Sequence, residues 1–130
     1  MKILVIDDGE LVRRNISRIL RLGGHEVVSA KEGWRGMALS FNERPETVIT
    51  DIFMPEQAGI ETMVKMRHEN PRIKIIAISG GGRIGGVDVL NIARSLGANE
   101  IIGKPFRARQ LHGLIGELKP TSETEDSVVY

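Results

Sequence analysis

The stretch that decides the fold is Thr47-Val-Ile-Thr-Asp51-Ile-Phe-Met-Pro55, in which a short apolar run ends in a carboxylate and is then stopped by a proline. Val48 and Ile49 are apolar and β-branched, which is typical of a strand covered on both faces. Pro55 cannot donate a ladder hydrogen bond, so the strand is predicted to end at Asp51. An aspartate at the carboxyl end of a parallel strand lies in the crevice where open α/β sheets bind ligands.

Four more apolar runs of strand length occur along the chain, and segments with helical spacing separate them. The five predicted strands are Ile3–Ile6, Glu26–Ser29, Val48–Asp51, Ile73–Ile78 and Ile101–Ile102. Each helical segment ends beside a glycine or a proline, the residues that most often terminate helices. In the second segment, Met37, Ala38 and Phe41 are predicted to form the buried face. Strict alternation of strand and helix predicts a doubly wound parallel sheet with helices on both faces, because parallel neighbours need crossover connections.

Length and composition limit the chain to one folded domain. Its 130 residues are 41% hydrophobic, enough for a core that buries roughly two thirds of the unfolded surface. The formal net charge is only +1, so the field that binding to nucleic acid or an anionic membrane needs is not expected. The chain has no cysteine and therefore no disulfide framework. No apolar run has the length of a signal peptide core or a membrane span, and we expect a soluble cytoplasmic protein.

Three carboxylates are predicted to meet at one edge of the sheet. Asp7 and Asp8 follow the first strand, and if the first and third strands are parallel neighbours, the pair shares an edge with Asp51. Two like unit charges about 4 Å apart repel by roughly 4 kcal/mol at an effective dielectric constant of about 20, so three such groups require a divalent cation. The ligands are all hard oxygens, which suits Mg²⁺, with Mn²⁺ as the alternative, and leaves coordination positions for water and a phosphoryl group.

Two further polar groups follow the fourth and fifth strands. Ser79 offers a hydroxyl donor, and Lys104 a compact cation that can pair with a carboxylate or a phosphoryl oxygen. The full set is Asp7-Asp8, Asp51 before Met54-Pro55, Ser79, and Lys104-Pro105-Phe106. In order and spacing this set resembles the receiver domain of two-component response regulators. The resemblance covers residues 1–119 and implies a flavodoxin-like α/β fold with strand order 2-1-3-4-5.

The resemblance implies that Asp51 is the phosphoacceptor. Its carboxylate would take a phosphoryl group from a phosphohistidine of a sensor histidine kinase or a histidine phosphotransfer protein, or from a small phosphodonor, and form an aspartyl phosphate. Lys104 and Ser79 would hold the phosphoryl oxygens. Catalysis in such a site is mostly positioning and charge neutralisation. The resemblance therefore implies a self-phosphorylating and self-dephosphorylating switch, not an enzyme with turnover.

The resemblance also implies a set of metal ligands. Asp8 would bind Mg²⁺ directly and Asp7 mainly through water. Asp51 and the backbone carbonyl of Phe53 would complete the protein ligands. In addition, Asp7 or Asp8 is expected to cap the first helix, because Asp8-Gly9-Glu10-Leu11 suits a helix start.

The implied output face consists of the fourth helix, the fifth strand and the fifth helix. An unidentified output protein would bind this face, and a homodimer through the same face is left open. Contacts of this domain with nucleic acid or a membrane are not expected. All 18 Lys and Arg precede Pro120, whereas three of the 17 acids follow it. We therefore expect residues 120–130 to be a flexible acidic tail or the start of a truncated linker.

Two positions depart from the common receiver pattern. Ile101 stands three residues before Lys104, where receivers commonly carry Tyr or Phe, so ring rotation is not the predicted switch. Ordering of the glycine-rich loop Gly80–Gly86 is predicted instead. Phe53 stands two residues after Asp51, where polar side chains are common, and its ring is predicted to shield the acyl phosphate and slow its hydrolysis.

Other functions stay open from the sequence alone. A small Mg²⁺-dependent phosphohydrolase would form an aspartyl phosphate as an intermediate, but it needs a substrate cap and a general acid where Phe53 stands. A phosphorylation-independent binding module with the same fold is favoured if Asp51 accepts no phosphoryl group. Gly80–Gly85 matches G-x-G-x-x-G, yet it follows the fourth strand instead of the first, so we interpret it as a loop and not as a dinucleotide site.

The three histidines and the one tryptophan are not predicted to bind a metal or a ligand. His25, His68 and His112 lie on separate predicted elements with no partner at helical spacing. Metal ligation by them is therefore not expected, and surface positions are predicted. Trp34, near the start of the second helix, is interpreted as a packing residue and not as a recognition residue.

Overall fold

The five predicted strands form one parallel sheet at the centre of the molecule. The computed structural model describes residues 1–52, 59–80, 83–84, 87–116 and 128–129. The sheet contains β1 (Lys2–Ile6), β2 (Glu26–Ala30), β3 (Thr47–Asp51), β4 (Lys74–Ser79) and β7 (Glu100–Gly103), the last numbered after two short strands that precede it. The strand order is β2-β1-β3-β4-β7, and every neighbouring pair is parallel. The predicted flavodoxin-like order is therefore confirmed.

Helices cover both faces of this sheet. They are α1 (Glu10–Leu22), α2 (Gly33–Glu43), α3 (Gly59–Glu69), α4 (Val89–Ser95) and α5 (Ala108–Ile115). Successive side chains of a strand point to opposite faces, so Ile3 of β1 packs in one core cluster with Ile16 of α1, and Leu4 packs in the other with Met63 of α3. Both clusters are apolar, which is why the central strands read as continuous apolar runs. None of the described helices has the length and hydropathy needed to cross a bilayer.

Two pairs of short strands were not predicted. Within the glycine-rich stretch, β5 (Arg83–Ile84) pairs antiparallel with β6 (Val87–Asp88), and α4 begins only at Val89. Residues 81–82 and 85–86 of the predicted loop lie outside the described residues. Further on, β8 (Phe106–Arg107) pairs antiparallel with β9 (Val128–Val129). Two residues of the expected tail thus pair with the domain, and the others of that segment lie outside the described residues.

Helix α2 turns a glycine, and not its aromatic residues, toward the sheet. Gly36 is buried, and a Cβ at this position would overlap the Ile6 side chain of β1. This close approach leaves Phe41 68% exposed, and Ala38 is exposed as well. Their prediction as part of the buried face is therefore wrong. The packing interpretation of Trp34 is also wrong, because its side chain is exposed.

Two of the three histidines are buried, which corrects the prediction of surface positions. His25 and His112 are 9% and 2% exposed, whereas His68 is exposed. The Nδ1 atom of His25 lies 3.0 Å from the N-terminal amine, and His112 belongs to the buried residues of α5. Each of these elements contains a single histidine, and a single residue forms no periodic pattern. The sequence therefore could not show whether a given histidine points inward or outward.

Gly59, the first residue of α3, should tolerate no side chain. A Cβ there would overlap the carbonyl oxygen of Asp51 and the Cα of Ile52, and backbone atoms cannot rotate out of the way. We expect Gly59→Ala to lower the free energy of unfolding by about 1–3 kcal/mol, as overpacking does. Urea denaturation measures this change.

The matched control is Gly113→Ala in α5, where no atom lies within 4 Å of the added Cβ. This substitution should stabilise the helix by about 0.5–1 kcal/mol, the usual difference between alanine and glycine. Equal stability of the two variants would contradict the close packing of α3 on the end of β3.

Candidate functional site

Four strands bring polar side chains to the carboxyl edge of the sheet. Asp7 follows β1, Asp51 ends β3, Ser79 ends β4 and Lys104 follows β7. Parallel strands in register end at the same edge, and Ser79 lies beside Gly103, the residue before the lysine. The structure therefore brings these predicted site residues together where open α/β sheets bind their ligands.

Lys104 contacts two of the carboxylates at once. Its Nζ donates hydrogen bonds to Oδ2 of Asp7 at 2.8 Å and to Oδ2 of Asp51 at 2.9 Å. The side chains of Asp7, Asp51 and Lys104 are 1%, 5% and 15% exposed, so all three charges are largely removed from water. Buried charges are tolerated when they are paired and hydrogen-bonded. Each of the three buried charges is therefore stable only because its partners are present.

The pKa of Lys104 results from competition between burial and these partners. Burial by itself disfavours the ammonium and lowers the pKa. The hydrogen bonds to Asp7 and Asp51, together with the negative charges of the two carboxylates, act in the opposite sense and outweigh it. The pKa of Lys104 consequently lies above its ordinary value of 10.5, and the group carries its charge at neutral pH.

Asp7, Asp8 and Asp51 form an acidic cluster. One carboxylate oxygen of each lies within 4.8 Å of the other two, and Asp8 is the exposed member. Three carboxylates and the ammonium of Lys104 leave a formal charge of −2 at this edge. Hard oxygen donors suit Mg²⁺ or Mn²⁺, so the donor set fits a divalent ion. Phe53, predicted to add its carbonyl oxygen, lies outside the described residues.

Asp7 is held through both its side chain and its backbone. Its Oδ1 accepts a hydrogen bond from the Gly9 N–H at 2.8 Å, and its carbonyl oxygen accepts one from Nη1 of Arg13 at 2.9 Å. The N-cap residue of α1 is Gly9, without a side-chain cap, so the expectation that Asp7 or Asp8 caps this helix is wrong. Sequence reasoning missed Arg13, because no spacing pattern links it to Asp7.

Small residues at the end of β4 leave room for the lysine side chain. In the sheet, β4 lies between β3 and β7, so Lys104 must reach across the end of β4 to contact Asp51. Ser79 is buried there, and a Cβ on the next residue, Gly80, would lie 3.9 Å from Cβ and Cδ of Lys104. The backbone N–H of Lys104 also donates to the Ser79 carbonyl at 2.8 Å. The end of β4 thus holds the backbone of Lys104 and lies beside its side chain.

Fold and site together define a class: a small doubly wound α/β domain with an acidic cluster and a buried lysine at the carboxyl edge of its sheet. Comparison with known families is more specific. The family model of the response regulator receiver domain matches residues 3–116, which is most of the chain. The chain therefore belongs to the response regulator receiver domain family.

Individual proteins agree with this assignment. The chain is 27% identical over 133 residues to response regulator MprA of Mycobacterium avium (strain 104), an alignment that covers 96% of this chain and 55% of the relative. The chain thus spans about half the length of the curated relatives it matches. A receiver domain structure from Clostridium thermocellum has a TM-score of 0.80 at 31% identity and covers 88% of this chain and 90% of that one. A CheY-like receiver domain structure from Methanospirillum hungatei JF-1 has a TM-score of 0.81 at 28% identity and covers 89% and 90%.

Family membership also gives the function in outline. The chain is a receiver domain of two-component signal transduction, and its aspartate cluster is consistent with the phosphoacceptor role of that family. The predicted family and the predicted phosphoacceptor function are therefore confirmed. The roles of the individual site residues stay predictions.

Loss of the lysine should destabilise the domain strongly. In Lys104→Gln the carboxylates of Asp7 and Asp51 stay buried without their cation, and we expect the free energy of unfolding to fall by about 3–5 kcal/mol. Urea denaturation without divalent ions measures the loss. The matched control is Lys65→Gln, which breaks an exposed 3.2 Å ion pair with Glu61 and should cost less than about 1 kcal/mol. Losses of equal size in both variants would show that the buried network contributes nothing special.

The raised pKa of Lys104 predicts how its contribution depends on pH. The native state binds the lysine proton more tightly than the unfolded state, so the stabilisation is complete below the ordinary value of 10.5 and is lost as pH rises through the raised pKa. The difference in the free energy of unfolding between the native chain and Lys104→Gln should therefore stay constant up to about pH 10.5 and shrink as the pH rises through the raised pKa. Urea denaturation across alkaline pH measures this, and a difference that grows with pH would contradict the assignment.

Proposed function

We propose that Asp51 accepts the phosphoryl group in this receiver domain. The observation that carries the proposal is the contact of the Lys104 ammonium with both Asp51 and Asp7, at 2.9 and 2.8 Å, beside the acidic cluster. Asp7 uses Oδ1 for the Gly9 N–H and Oδ2 for Lys104, which suits a positioning role. Asp51 ends β3, the middle strand of the sheet, where the other site residues surround it.

In the proposed reaction, a carboxylate oxygen of Asp51 attacks the phosphorus of a phosphohistidine on a sensor histidine kinase or a histidine phosphotransfer protein. The O–P bond forms while the P–N bond breaks, and the electron pair stays on the imidazole nitrogen, which takes up a proton. A small phosphodonor can replace the phosphohistidine. Water later cleaves the acyl phosphate, which releases inorganic phosphate and regenerates the carboxylate. In this proposal the phosphorylated state is itself the signal, so the domain acts as a switch that is set and reset and not as an enzyme that serves to convert a substrate.

Asp7, Asp8 and Asp51 are the proposed ligands of Mg²⁺, or of Mn²⁺ in its place, and the carbonyl of Phe53 is a further one. When bound, the ion would supply positive charge to the site. Asp8 is exposed and opens the cluster to solvent, which suits an ion that keeps several water ligands. The buried Asp7 and Asp51 hold the inner side of the site.

Lys104 and Ser79 are proposed to bind the phosphoryl oxygens. A phosphoryl group on Asp51 carries a charge of about −1.5 to −2, and it forms within reach of the ammonium that already contacts this carboxylate. Ser79 brings a hydroxyl donor to the end of the neighbouring strand β4. Donors that are positioned beforehand stabilise the charge of the transition state without rearrangement.

The proposed output face consists of α4, β7 and α5. Ser79 directly precedes the glycine-rich stretch that leads through β5 and β6 into α4, so a contact of its hydroxyl with a phosphoryl oxygen acts on this connection. Reversal of a 1:99 population ratio needs about 5.5 kcal/mol of differential stabilisation, and the phosphoryl charge beside Lys104 is the proposed source. An unidentified output protein would read this face. We also propose that the protein is located in the cytoplasm.

Intact mass after exposure to a small phosphodonor with Mg²⁺ tests the acceptor. The native chain should gain one phosphoryl group and Asp51→Asn none. The matched control Glu61→Gln, which alters an exposed acid of α3, should gain as much as the native chain. EDTA should abolish the gain, because the acidic cluster then lacks its cation.

Two results would change the proposal. A phosphoryl group that persists in folded Asp51→Asn would place the acceptor at another residue. A folded native chain that takes up no phosphoryl group under any of these conditions would favour the phosphorylation-independent binding module.

A further inference from the structure

Helix α1 is the most basic of the described helices. Its 13 residues contain four arginines and one acid, a formal charge of +3, whereas the whole chain carries only +1. The other described helices have formal charges between 0 and +1. Arg13 holds the carbonyl oxygen of Asp7, but the acceptor site uses none of the other three, Arg14, Arg18 and Arg21. Phosphoryl transfer therefore does not account for this charge.

All four arginines line one groove between α1 and β2, which is an edge strand of the sheet. We call this space the arginine groove. Its volume is about 490 Å³, and Ser17 of α1 and Ser29 of β2 also line it. Ser17 is buried, so the groove extends from the exposed side of α1 toward the sheet. Ligand sites in proteins have volumes of about 300–1,000 Å³, and the arginine groove therefore has the size of a small-molecule site.

Two of the arginines are held in place by backbone carbonyl groups. Nη1 of Arg13 donates to the carbonyl oxygen of Asp7 at 2.9 Å, and Nη2 of Arg21 donates to that of Val27 at 3.3 Å. A guanidinium group has five N–H donors, so each of these side chains keeps donors for a ligand. Side chains that are already ordered lose less conformational entropy when a ligand binds. The arginine groove is therefore partly preorganised.

The other two arginines are available to a ligand. Arg14 lies 3.8 Å from Glu10, both of them exposed, and this distance is longer than a hydrogen bond. Arg18 makes no hydrogen bond or ion pair with any residue that the structure describes. Spacings of four and three residues place Arg14, Arg18 and Arg21 on one side of the helix, spread over about 10 Å. Donors spread over this length suit a ligand with several linked anionic groups better than a single phosphate.

Strand β2 adds a backbone donor to the arginine groove. The Glu26 N–H and the Ala30 carbonyl oxygen bond toward β1. Because alternate residues of a strand direct their N–H and C=O groups to opposite sides, the N–H of Ser29 points away from β1, to the open edge. This N–H has no partner among the described residues. One more donor beside four guanidinium groups again favours an anion as the ligand.

An extended acidic peptide is the other ligand that an open edge strand suggests, because such peptides can add to a sheet as a further strand. Strand addition needs a row of open backbone groups. Val27 and Ser29 are the residues of β2 that face the open edge, and Arg21 already occupies the carbonyl oxygen of Val27. The edge is therefore too short for a stable added strand, and the structure favours a small molecule.

We propose that the arginine groove binds a small molecule through a chain of three or more linked phosphoryl groups, either an inorganic oligophosphate or a nucleoside polyphosphate. Arginine binds phosphoryl groups through two parallel N–H donors, which makes it a stronger ligand for them than a single charge would be. Among the described residues that line the groove, Leu11 is the only apolar one and none is aromatic. A base would therefore gain little from stacking, and the phosphoryl chain provides the recognition.

This site is separate from the acceptor site. The acidic cluster carries a formal charge of −2 even with Lys104 included, so it repels an anion when divalent ions are absent. The arginine groove contains no carboxylate among its described lining residues and needs no metal. Binding should therefore persist in EDTA, and Asp51→Asn should bind the ligand as tightly as the native chain does, whether or not Asp51 accepts a phosphoryl group.

Isothermal titration calorimetry of the full chain with sodium tripolyphosphate tests the site, in EDTA and at about 150 mM salt, where long-range charge effects are screened. The native chain should bind one equivalent with a dissociation constant of roughly 10–100 μM. Arg18→Gln combined with Arg21→Gln should weaken binding at least about tenfold. The matched control, Arg72→Gln combined with Arg94→Gln, removes the same charge from exposed positions outside the groove and should weaken binding less than about twofold.

Titrations with other anions identify the source of the phosphoryl chain. Tighter binding of adenosine triphosphate than of tripolyphosphate in EDTA would support a nucleoside polyphosphate, and the reverse order or equal affinity would support an inorganic oligophosphate. Orthophosphate should bind at least about tenfold more weakly than either, because it spans only part of the groove. Orthophosphate that binds as tightly as tripolyphosphate overturns the proposal, and so does hexaglutamate that binds more tightly, since the ligand would then be an acidic peptide.

Nuclear magnetic resonance of the native chain gives a second measurement that does not depend on any variant. On addition of tripolyphosphate, the amide signal of Ser29 should shift and saturate with the dissociation constant found by calorimetry, whereas the amide signal of Gly113 on α5 should stay unchanged. The absence of both heat and shift up to about 5 mM ligand overturns the proposal. Equal weakening in the two double variants also overturns it, because binding would then reflect only the net charge.

Discussion

The contact of one lysine with two buried carboxylates holds the carboxyl edge of this domain together. Asp7 and Asp51 come from the neighbouring strands β1 and β3, and Lys104 comes from β7, on the far side of β4. The contact therefore ties strands that are not adjacent in the sheet. Without the ammonium, the two carboxylates would repel each other in a poorly hydrated environment, which is costly for a folded protein. The edge of the sheet is thus stable only while a cation is present.

One lysine does not neutralise the site. With the exposed Asp8 added, the edge keeps a formal charge of −2. A divalent ion would offset that charge, and a phosphoryl group on the proposed acceptor Asp51 would bring a similar charge back. The groups proposed to bind the phosphoryl oxygens are already in place, since Lys104 contacts Asp51 directly and Ser79 ends the next strand. The same electrostatic balance that stabilises the resting domain therefore prepares it for phosphoryl transfer.

The strands and the positions of Asp7, Asp51, Ser79 and Lys104 at their ends were predictable, because buried parallel strands have continuous apolar runs and their polar ends are easy to locate. The order of the strands in the sheet was predicted only through the resemblance to receiver domains. The strands β5, β6, β8 and β9 were not predictable, because each has only two residues and such a short segment shows no alternation of apolar and polar residues. The orientation of α2 was missed for a related reason. Its contact with the sheet is made by a glycine, which adds nothing to an apolar pattern, so the aromatic residues appeared to be the buried ones.

The same glycine links the site to the exposed aromatic side chains of α2. Gly36 packs against Ile6, and Ile6 immediately precedes Asp7 in the chain. A larger residue at position 36 would push α2 away from the end of β1, where the first carboxylate of the site is held. Close packing at this point stabilises the position of Asp7 and, on the opposite side of the same helix, leaves Trp34 and Phe41 in solvent. The exposure of these two rings is therefore a geometric consequence of how α2 supports the site.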